Sequence, residues 1–266
     1  MPTIDRIPRI LWFIFPTGVA ISVLAYALLL GSLCANLFVS DSGRPPPSRP
    51  RIAHAGGGIA NQAYTNSTTA LNANASHYDL FELDFNFTSD GHLVCIHDWP
   101  TTPGSGTPTL QQFQQEQAHA IYPKCTIYTL ITWLDTHPGK RIVTDVKDGN
   151  IKALSYIAQH YPSHIDRFIP QIYFPHEYLS VRALGYRDII WTLYRYRWGG
   201  IFVLSNLRSM HVYAVTMPLK RTHTLPPLLN RIGIASYVHT VNDQAQWAEL
   251  KRAGVGEIYT DTLTAK

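Results

Sequence analysis

Charge is scarce in this sequence. Only 15% of its 266 residues are charged, and its 22 Lys and Arg against 18 Asp and Glu, spread along the chain, form no basic block. Nucleic acid, which such blocks track, is not expected as a partner. From Ile10 to Val39 there is no charged residue at all. A helix needs about 20 apolar residues to cross a bilayer, whereas the apolar core of a cleaved signal peptide is about 7–15 residues long. Residues 1–40 are therefore read as an uncleaved N-terminal transmembrane anchor. Cysteine is also scarce, with three in the chain. Cys34 lies in the apolar segment, which leaves Cys95 and Cys125 as a possible disulfide whose spacing fits no zinc motif. Two buried free thiols are the expectation for that pair. The chain has no sequence repeat, and its one low-complexity tract is 41–50, centred on Pro45-Pro46-Pro47, a stiff linker.

With 45% apolar residues, the remainder, 51–266, is long enough for one large globular domain. Short β-type runs alternate there with helix-length stretches, which signals βα units and a parallel sheet. The runs are 51–56, 80–86, 141–147, 168–174, 188–194, 211–216, 234–241 and 257–260. Eight such strands predict a (β/α)8 barrel, an α/β fold in which chemistry sits at the carboxyl ends of the strands. Helices are expected over 68–76, 149–160, 177–184 and 243–253. The last is the best delimited, with Asn242 or Asp243 as cap and Gly254 as stop.

Between Phe81 and Asp98 the sequence reads FELDFNFTSDGHLVCIHD. Alternation in a strand puts Glu82 and Asp84 on one face. Paired carboxylates repel each other unless a divalent cation lies between them. The Ser89-Asp90-Gly91 turn then returns the chain through Leu93–Ile96 to His97 and Asp98. Asp145, at another strand end, completes three oxygen donors for one hard cation, Mg2+ or Ca2+. Imidazole is an acid and base of neutral pH, so His54 and His97 are the residue type that suits proton transfer, and Lys147 suits neutralisation of a phosphate. Asn66, Gln171, Trp191, Tyr194, Arg195 and His239 are the expected substrate contacts. In that group Trp191, Tyr194 and their neighbours form an aromatic wall for a head group, and Arg195 supports the phosphate.

The motifs His54-Ala55-Gly56-Gly57, Asn66-Ser67-Thr68, Glu82-Leu83-Asp84, Thr88-Ser89-Asp90-Gly91, His97-Asp98, Asp145-Val146-Lys147 and Thr260-Asp261 resemble, in order and spacing, the glycerophosphodiester phosphodiesterases. The resemblance covers nearly all of 51–264. It implies a barrel that hydrolyses phosphodiesters with one divalent metal held by Glu82, Asp84 and Asp145, and with His54 and His97 as catalytic histidines. Three positions depart from the family pattern. Ala55 replaces an arginine that contacts phosphate, Thr65 replaces a glutamate, and the third acid, Asp145, is an aspartate where glutamate is usual. The Asp145/Lys147 pair is similar to the sphingomyelinase D branch. The expected activity is hydrolysis of glycerophosphodiesters or lysophospholipids. The alternatives are a phospholipase D-like lyase that releases a cyclic phosphate, and a barrel that has lost catalysis and binds a lipid or a protein.

The basic residues flanking the span, Arg6 and Arg9 before it and Arg44, Arg49 and Arg51 after it, favour a cytoplasmic barrel by the positive-inside rule. The signal-anchor character favours export, and a periplasmic or extracellular barrel is the expectation taken.

Overall fold

The computed structural model describes residues 21–31, 43–99 and 106–264. The chain divides into two units, Met1–Ser42 and Gly43–Lys266. In the first, residues 21–31 are helical and expose Leu24, Leu28 and Leu29. No helix among the described residues is long and apolar enough to cross a membrane. The structure therefore does not show the expected span, and most of 1–40 lies outside the described residues.

In the second unit all eight expected strands form, five of them shortened, one shifted, one a residue longer and one with the expected bounds. They are β1 (Ile52–Ala53), β2 (Leu80–Phe87), β4 (Arg141–Val146), β5 (Phe168–Ile172), β6 (Ile190–Thr192), β7 (Ala214–Met217), β8 (Ser236–Val238) and β9 (Glu257–Thr260). All run parallel in the order β1-β9-β8-β7-β6-β5-β4-β2, and β1 pairs back with β2 to close a (β/α)8 barrel. β1 is short because the chain turns at His54–Gly56 into one 3-10 turn. That leaves the far end of β2 open, and the antiparallel β3 (Leu93–Cys95) pairs there, Phe85 opposite Cys95. The hairpin expected from the sequence is this β2–β3 unit. β7 starts later than expected because the His211 N–H is taken by the Tyr178 hydroxyl rather than by a neighbouring strand.

Among the described residues eight helices surround the barrel: α1 (Thr68–Asn74), α2 (Leu110–Gln117), α3 (Ile127–Thr136), α4 (Asn150–His160), α5 (Glu177–Ala183), α6 (Gly200–Leu207), α7 (Leu225–Arg231) and α8 (Gln244–Arg252). Side-chain caps fix several of the starts. Ser67 accepts from Ala70 N, Thr109 and Thr126 form capping boxes, and Asp243 accepts from Gln246 N. Of the two residues proposed to cap α8, Asp243 does so, and Asn242 is engaged elsewhere.

Strand alternation layers the barrel interior. Ile52, Leu80, Val143, Ile169, Ile190, Ala235, Tyr237 and Tyr259 form an apolar cluster at its floor. Each fully buried Ile, Leu or Val side chain among them contributes about 1.5–3 kcal/mol relative to exposure. Two and four residues further along the same strands the same parity brings His54, Glu82, Asp84, Asp145, Tyr173, Tyr194, His239 and Asp261 toward the mouth. The last residues of the proline tract are docked rather than free: the Arg49 guanidinium stacks 3.8 Å from the Tyr213 ring, and the Tyr237 hydroxyl donates to Pro50 O at 2.7 Å.

Cys95 and Cys125 are joined by a disulfide with a Cα–Cα separation of 5.0 Å, which corrects the expectation of two free thiols. Their separation of 30 residues along the chain hid the contact. β3 brings Cys95 beside the segment leading into α3, where its N–H donates to Cys125 O at 2.7 Å and Val94 bridges Thr126.

Candidate active site

The turn after β1 places the first histidine. Gly57 and Gly58 allow it, since a Cβ on Gly57 would lie 2.7 Å from the Asn74 amide nitrogen, and one on Gly58 2.7 Å from Asp261 O. Gly58 N donates to that same carbonyl at 2.7 Å, so the turn and the end of β9 are locked together. His54 Nδ1 lies 2.8 Å from Asp261 Oδ1. A carboxylate can only accept, so Nδ1 carries the proton and Nε2 is free to take one. Nε2 points to the acids and is 4.0 Å from Glu82 Oε2. Asn242 pins Asp261 through its Nδ2 (2.6 Å to Oδ2), while its Oδ1 receives Asp261 N at 2.7 Å. Burial would raise the Asp261 pKa, but the His54 and Asn242 hydrogen bonds outweigh it and hold the carboxyl below its ordinary value.

Glu82, Asp84 and Asp145 are all buried and bring carboxylate oxygens within 4.8 Å of one another. Glu82 Oε2 accepts from Ala55 N at 2.8 Å, and Oε1 is buried with no hydrogen-bond partner. Burial first, then the charges of Asp84 and Asp145, push the Glu82 pKa well above the ordinary carboxylate range. Asp84 is held by Asn66 at both ends: Asn66 Nδ2 donates to Oδ2 and Asp84 N donates to Asn66 Oδ1, each at 2.9 Å. Asp145 accepts from the Tyr173 hydroxyl, from the Tyr194 hydroxyl at 2.7 Å, and from Lys147 Nζ at 2.8 Å. Burial would raise its pKa, but Lys147 and the two tyrosines bring it below normal. Lys147 Nζ is also 2.8 Å from Asp84 Oδ1. Apart from that ion pair this oxygen has no partner. Burial would lower the lysine pKa, and the two aspartates overcome it and raise it.

Three carboxylates against one ammonium leave a deficit of positive charge in a dry place, and Glu82 Oε1 is buried there without a partner. All the donors are oxygen. This is the donor set that a hard divalent cation takes, so Glu82, Asp84 and Asp145 fit a metal.

A pocket of about 230 Å3 opens over these groups, lined by Tyr64, His97, Asp145, Lys147, Tyr194, Met217, Pro218 and His239. His97 follows β3, and its Nδ1 bonds to Asp98 Oδ2. The Tyr64 ring stands between the histidines, 4.7 Å from His54 and 5.3 Å from His97. The His239 ring is 4.9 Å from that of His54. Burial, and then the nearby His54, push its pKa down to about 4, so His239 is neutral at pH 7.

The structure thus brings together His54, His97, Lys147, Glu82, Asp84, Asp145, Tyr194 and His239. Four residues expected to touch substrate are placed elsewhere. Asn66 spends its amide on Asp84. Gln171 is buried at 1% exposure, with both side-chain polar atoms lacking partners, and is absent from the pocket lining. Trp191 alternates out of the barrel between Ile190 and Thr192, fully buried, with its ring 5.0 Å from that of Tyr196. Arg195 is absent from the pocket lining and is engaged beside it, donating to Lys147 O at 3.0 Å and stacking 4.2 Å from the Tyr173 ring.

Of the departures, Ala55 adopts φ +48° and is fully buried. The Thr65 hydroxyl meets the Ser67 hydroxyl at 2.9 Å, so neither side chain supplies a charge to the site. Tyr64, Met217 and Pro218 are lining residues that the sequence reading missed. Met217 lies one residue past the expected strand 211–216, where the carboxyl-end rule could have found it, whereas Tyr64, in an irregular loop at φ +68°, had no such signal.

No protein-family model matches the sequence, and no curated protein matches it. Solved structures do. A glycerophosphodiester phosphodiesterase from Parabacteroides distasonis is 15% identical over 81% of this chain and 94% of its own, with a TM-score of 0.63. One from Thermotoga maritima is 16% identical over 81% and 96%, at 0.61. An Oleispira antarctica phosphodiesterase solved with the product sn-glycerol-3-phosphate is 17% identical over 80% and 93%, at 0.62. The barrel of this chain, with its buried acids at the mouth, has the fold of the glycerophosphodiester phosphodiesterases.

Proposed function

We propose that this chain is a metal-dependent phosphodiesterase acting on glycerophosphodiesters or lysophospholipids. The observation that carries this reading is the buried Glu82, Asp84 and Asp145 trio with its unpaired Glu82 Oε1, set beside His54 and His97. The likeness in fold to phosphodiesterases, one of them holding a glycerol phosphate product, supports it. A divalent cation, Mg2+ or Ca2+, held by these three acids would polarise a phosphoryl oxygen.

The protein's own groups do the rest. Lys147 offsets charge that grows on the phosphoryl group. His54, its Nδ1 proton committed to Asp261, accepts the proton of the attacking hydroxyl at Nε2, and His97 protonates the leaving alkoxide. A pocket of about 230 Å3 lies below the usual range of about 300–1,000 Å3 for drug-sized ligands. It encloses the phosphate and one small alcohol, and the other substituent leaves through the mouth.

The aspartate and lysine at Asp145 and Lys147 favour a second reading in which a neighbouring substrate hydroxyl attacks and a cyclic phosphate leaves, since intramolecular attack gains a large effective concentration. Phosphorus NMR of the product separates the two. The Cys95–Cys125 disulfide supports a barrel on the oxidising side of a membrane, periplasmic or extracellular, anchored by the uncharged N-terminal segment.

The test is turnover of the full chain in detergent on a panel of phosphodiesters with Mg2+, Ca2+ or chelator. Metal-dependent turnover that falls about 100- to 10,000-fold in His54→Ala and in His97→Ala is expected. Turnover that ignores both metal and the histidines overturns the reading.

A further inference from the structure

The even spread of charge expected from the overall balance fails over one stretch. Residues 189–242 hold six Lys and Arg and none of the 18 Asp and Glu, so this stretch carries +6 and the rest of the chain −2. Arg208 and Arg231 lie at the ends of α6 and α7, far from the mouth. The other four, Arg195, Arg197, Lys220 and Arg221, fall in the two loops that follow β6 and β7, at the carboxyl end of the barrel.

Among them the Trp198 ring is 60% exposed and stands 5.1 Å from that of Phe202, itself 49% exposed, and Leu219 is exposed on the neighbouring loop. A single exposed apolar residue needs no account. A tryptophan and a phenylalanine in contact, rimmed by cations with no acid in either loop, form a patch of a recognisable kind. Aromatic rings of this sort settle at the boundary of head groups and acyl chains, and cations beside them meet the negative surface of anionic lipid. Nucleic acid would ask for a longer basic track and has no use for Leu219. The patch also borders the pocket: Met217 and Pro218 line it one turn before Lys220, and Tyr194 lines it just before Arg195.

We propose that the β6–α6 and β7–α7 loops dock the mouth of the barrel on a bilayer of anionic phospholipid. Trp198 and Phe202 enter the boundary region, and Arg197 and Lys220 lie against lipid phosphates. A substrate tail leaving the pocket then passes directly into the bilayer surface. Docking is separate from catalysis, so it is read by binding rather than by turnover.

The experiment uses the full chain reconstituted in vesicles whose lipids carry brominated acyl chains, which quench nearby tryptophan. In phosphatidylcholine–phosphatidylglycerol vesicles the wild type is expected to lose a component of emission that Trp198→Ala does not. That difference should shrink severalfold in phosphatidylcholine alone, at high salt, and in Arg197→Glu/Lys220→Glu. Circular dichroism and turnover of a water-soluble phosphodiester check that the variants fold. A Trp198 component equal in brominated and unbrominated anionic vesicles, or quenched regardless of lipid charge, overturns the proposal.

Discussion

The two histidines of the mouth are held in opposite ways. His54 sits inside the closed barrel at 3% exposure, with its imidazole on Asp261, which Asn242 in turn pins. His97 stands outside the ring of parallel strands at the end of a hairpin, its side chain 37% exposed, bonded to its own neighbour Asp98. Barrel closure fixes the first. What fixes the second is β3 and the disulfide that ends it, because Cys95 lies two residues before His97, and Cys125 N also donates to Asn66 O at 3.1 Å. One bond therefore serves both His97 and the Asn66 that grips Asp84. A site can be rigid in one corner by topology and in the other by a covalent tie.

The largest test of that contrast is to cut the tie. A disulfide closing a loop of 30 residues stabilises by about 3–4 kcal/mol on chain-entropy grounds. Cys95→Ser/Cys125→Ser, or reduction of the wild type, is expected to lower the urea midpoint accordingly and to lower kcat, while the His54–Asp261 pair stays in place. If stability falls but kcat and metal affinity do not, the hairpin alone sets His97 and the covalent tie does not distinguish the two corners.

The acids between the two corners give the next effect. Without metal, the folded pKa of Glu82 lies above its unfolded one, by burial and by repulsion from Asp84 and Asp145. Folding then favours the protonated form. Its stabilising contribution is full below the unfolded pKa and is lost as pH rises through the folded pKa. In chelator, thermal stability is therefore expected to fall as pH rises toward neutrality. Divalent cation at about 100 times its Kd should restore about 2.7 kcal/mol. Glu82→Gln should flatten the pH dependence and abolish the gain from metal. A variant that responds to pH and metal as the wild type does would remove Glu82 from the cluster.

Much of the architecture was open to reading in the sequence because the barrel's strands alternate with helices at ordinary spacing, and every expected strand formed. Parity was legible too: Glu82 and Asp84 two apart share a face and meet. The same parity argued against Trp191, which alternates with Ile190 and Thr192, and the attraction of an aromatic run obscured it. Arg195 was misplaced for a different reason. A guanidinium that reaches a backbone carbonyl and a tyrosine face leaves no mark on spacing. The disulfide and the Asn66–Asp84 clasp join residues far apart in sequence, so only the fold reveals them, and Tyr64 belongs to a loop whose positive φ values no pattern of apolar residues encodes.

The smallest expected effect sharpens the comparison most, because it acts on the two histidines alike in chemistry and unlike in place. In Asp261→Asn the amide has one oxygen and one NH2 for two donors, His54 Nδ1–H and Asn242 Nδ2. If the oxygen stays with Asn242, the NH2 faces Nδ1, which must give up its proton to Nε2, and the imidazole can no longer accept one there. Loss of such an orienting partner typically costs about 10- to 100-fold. A fall of that size in kcat with KM nearly unchanged is expected, and Asp261→Ala, which leaves the tautomer free, should be less damaging per turnover than its larger structural change suggests. Asp98 is 76% exposed at its side chain, so water replaces it at His97, and Asp98→Asn should lower kcat only severalfold. Equal losses in Asp261→Asn and Asp98→Asn would mean that burial does not distinguish the two corners, and that the hairpin histidine is held as firmly as the one inside the barrel.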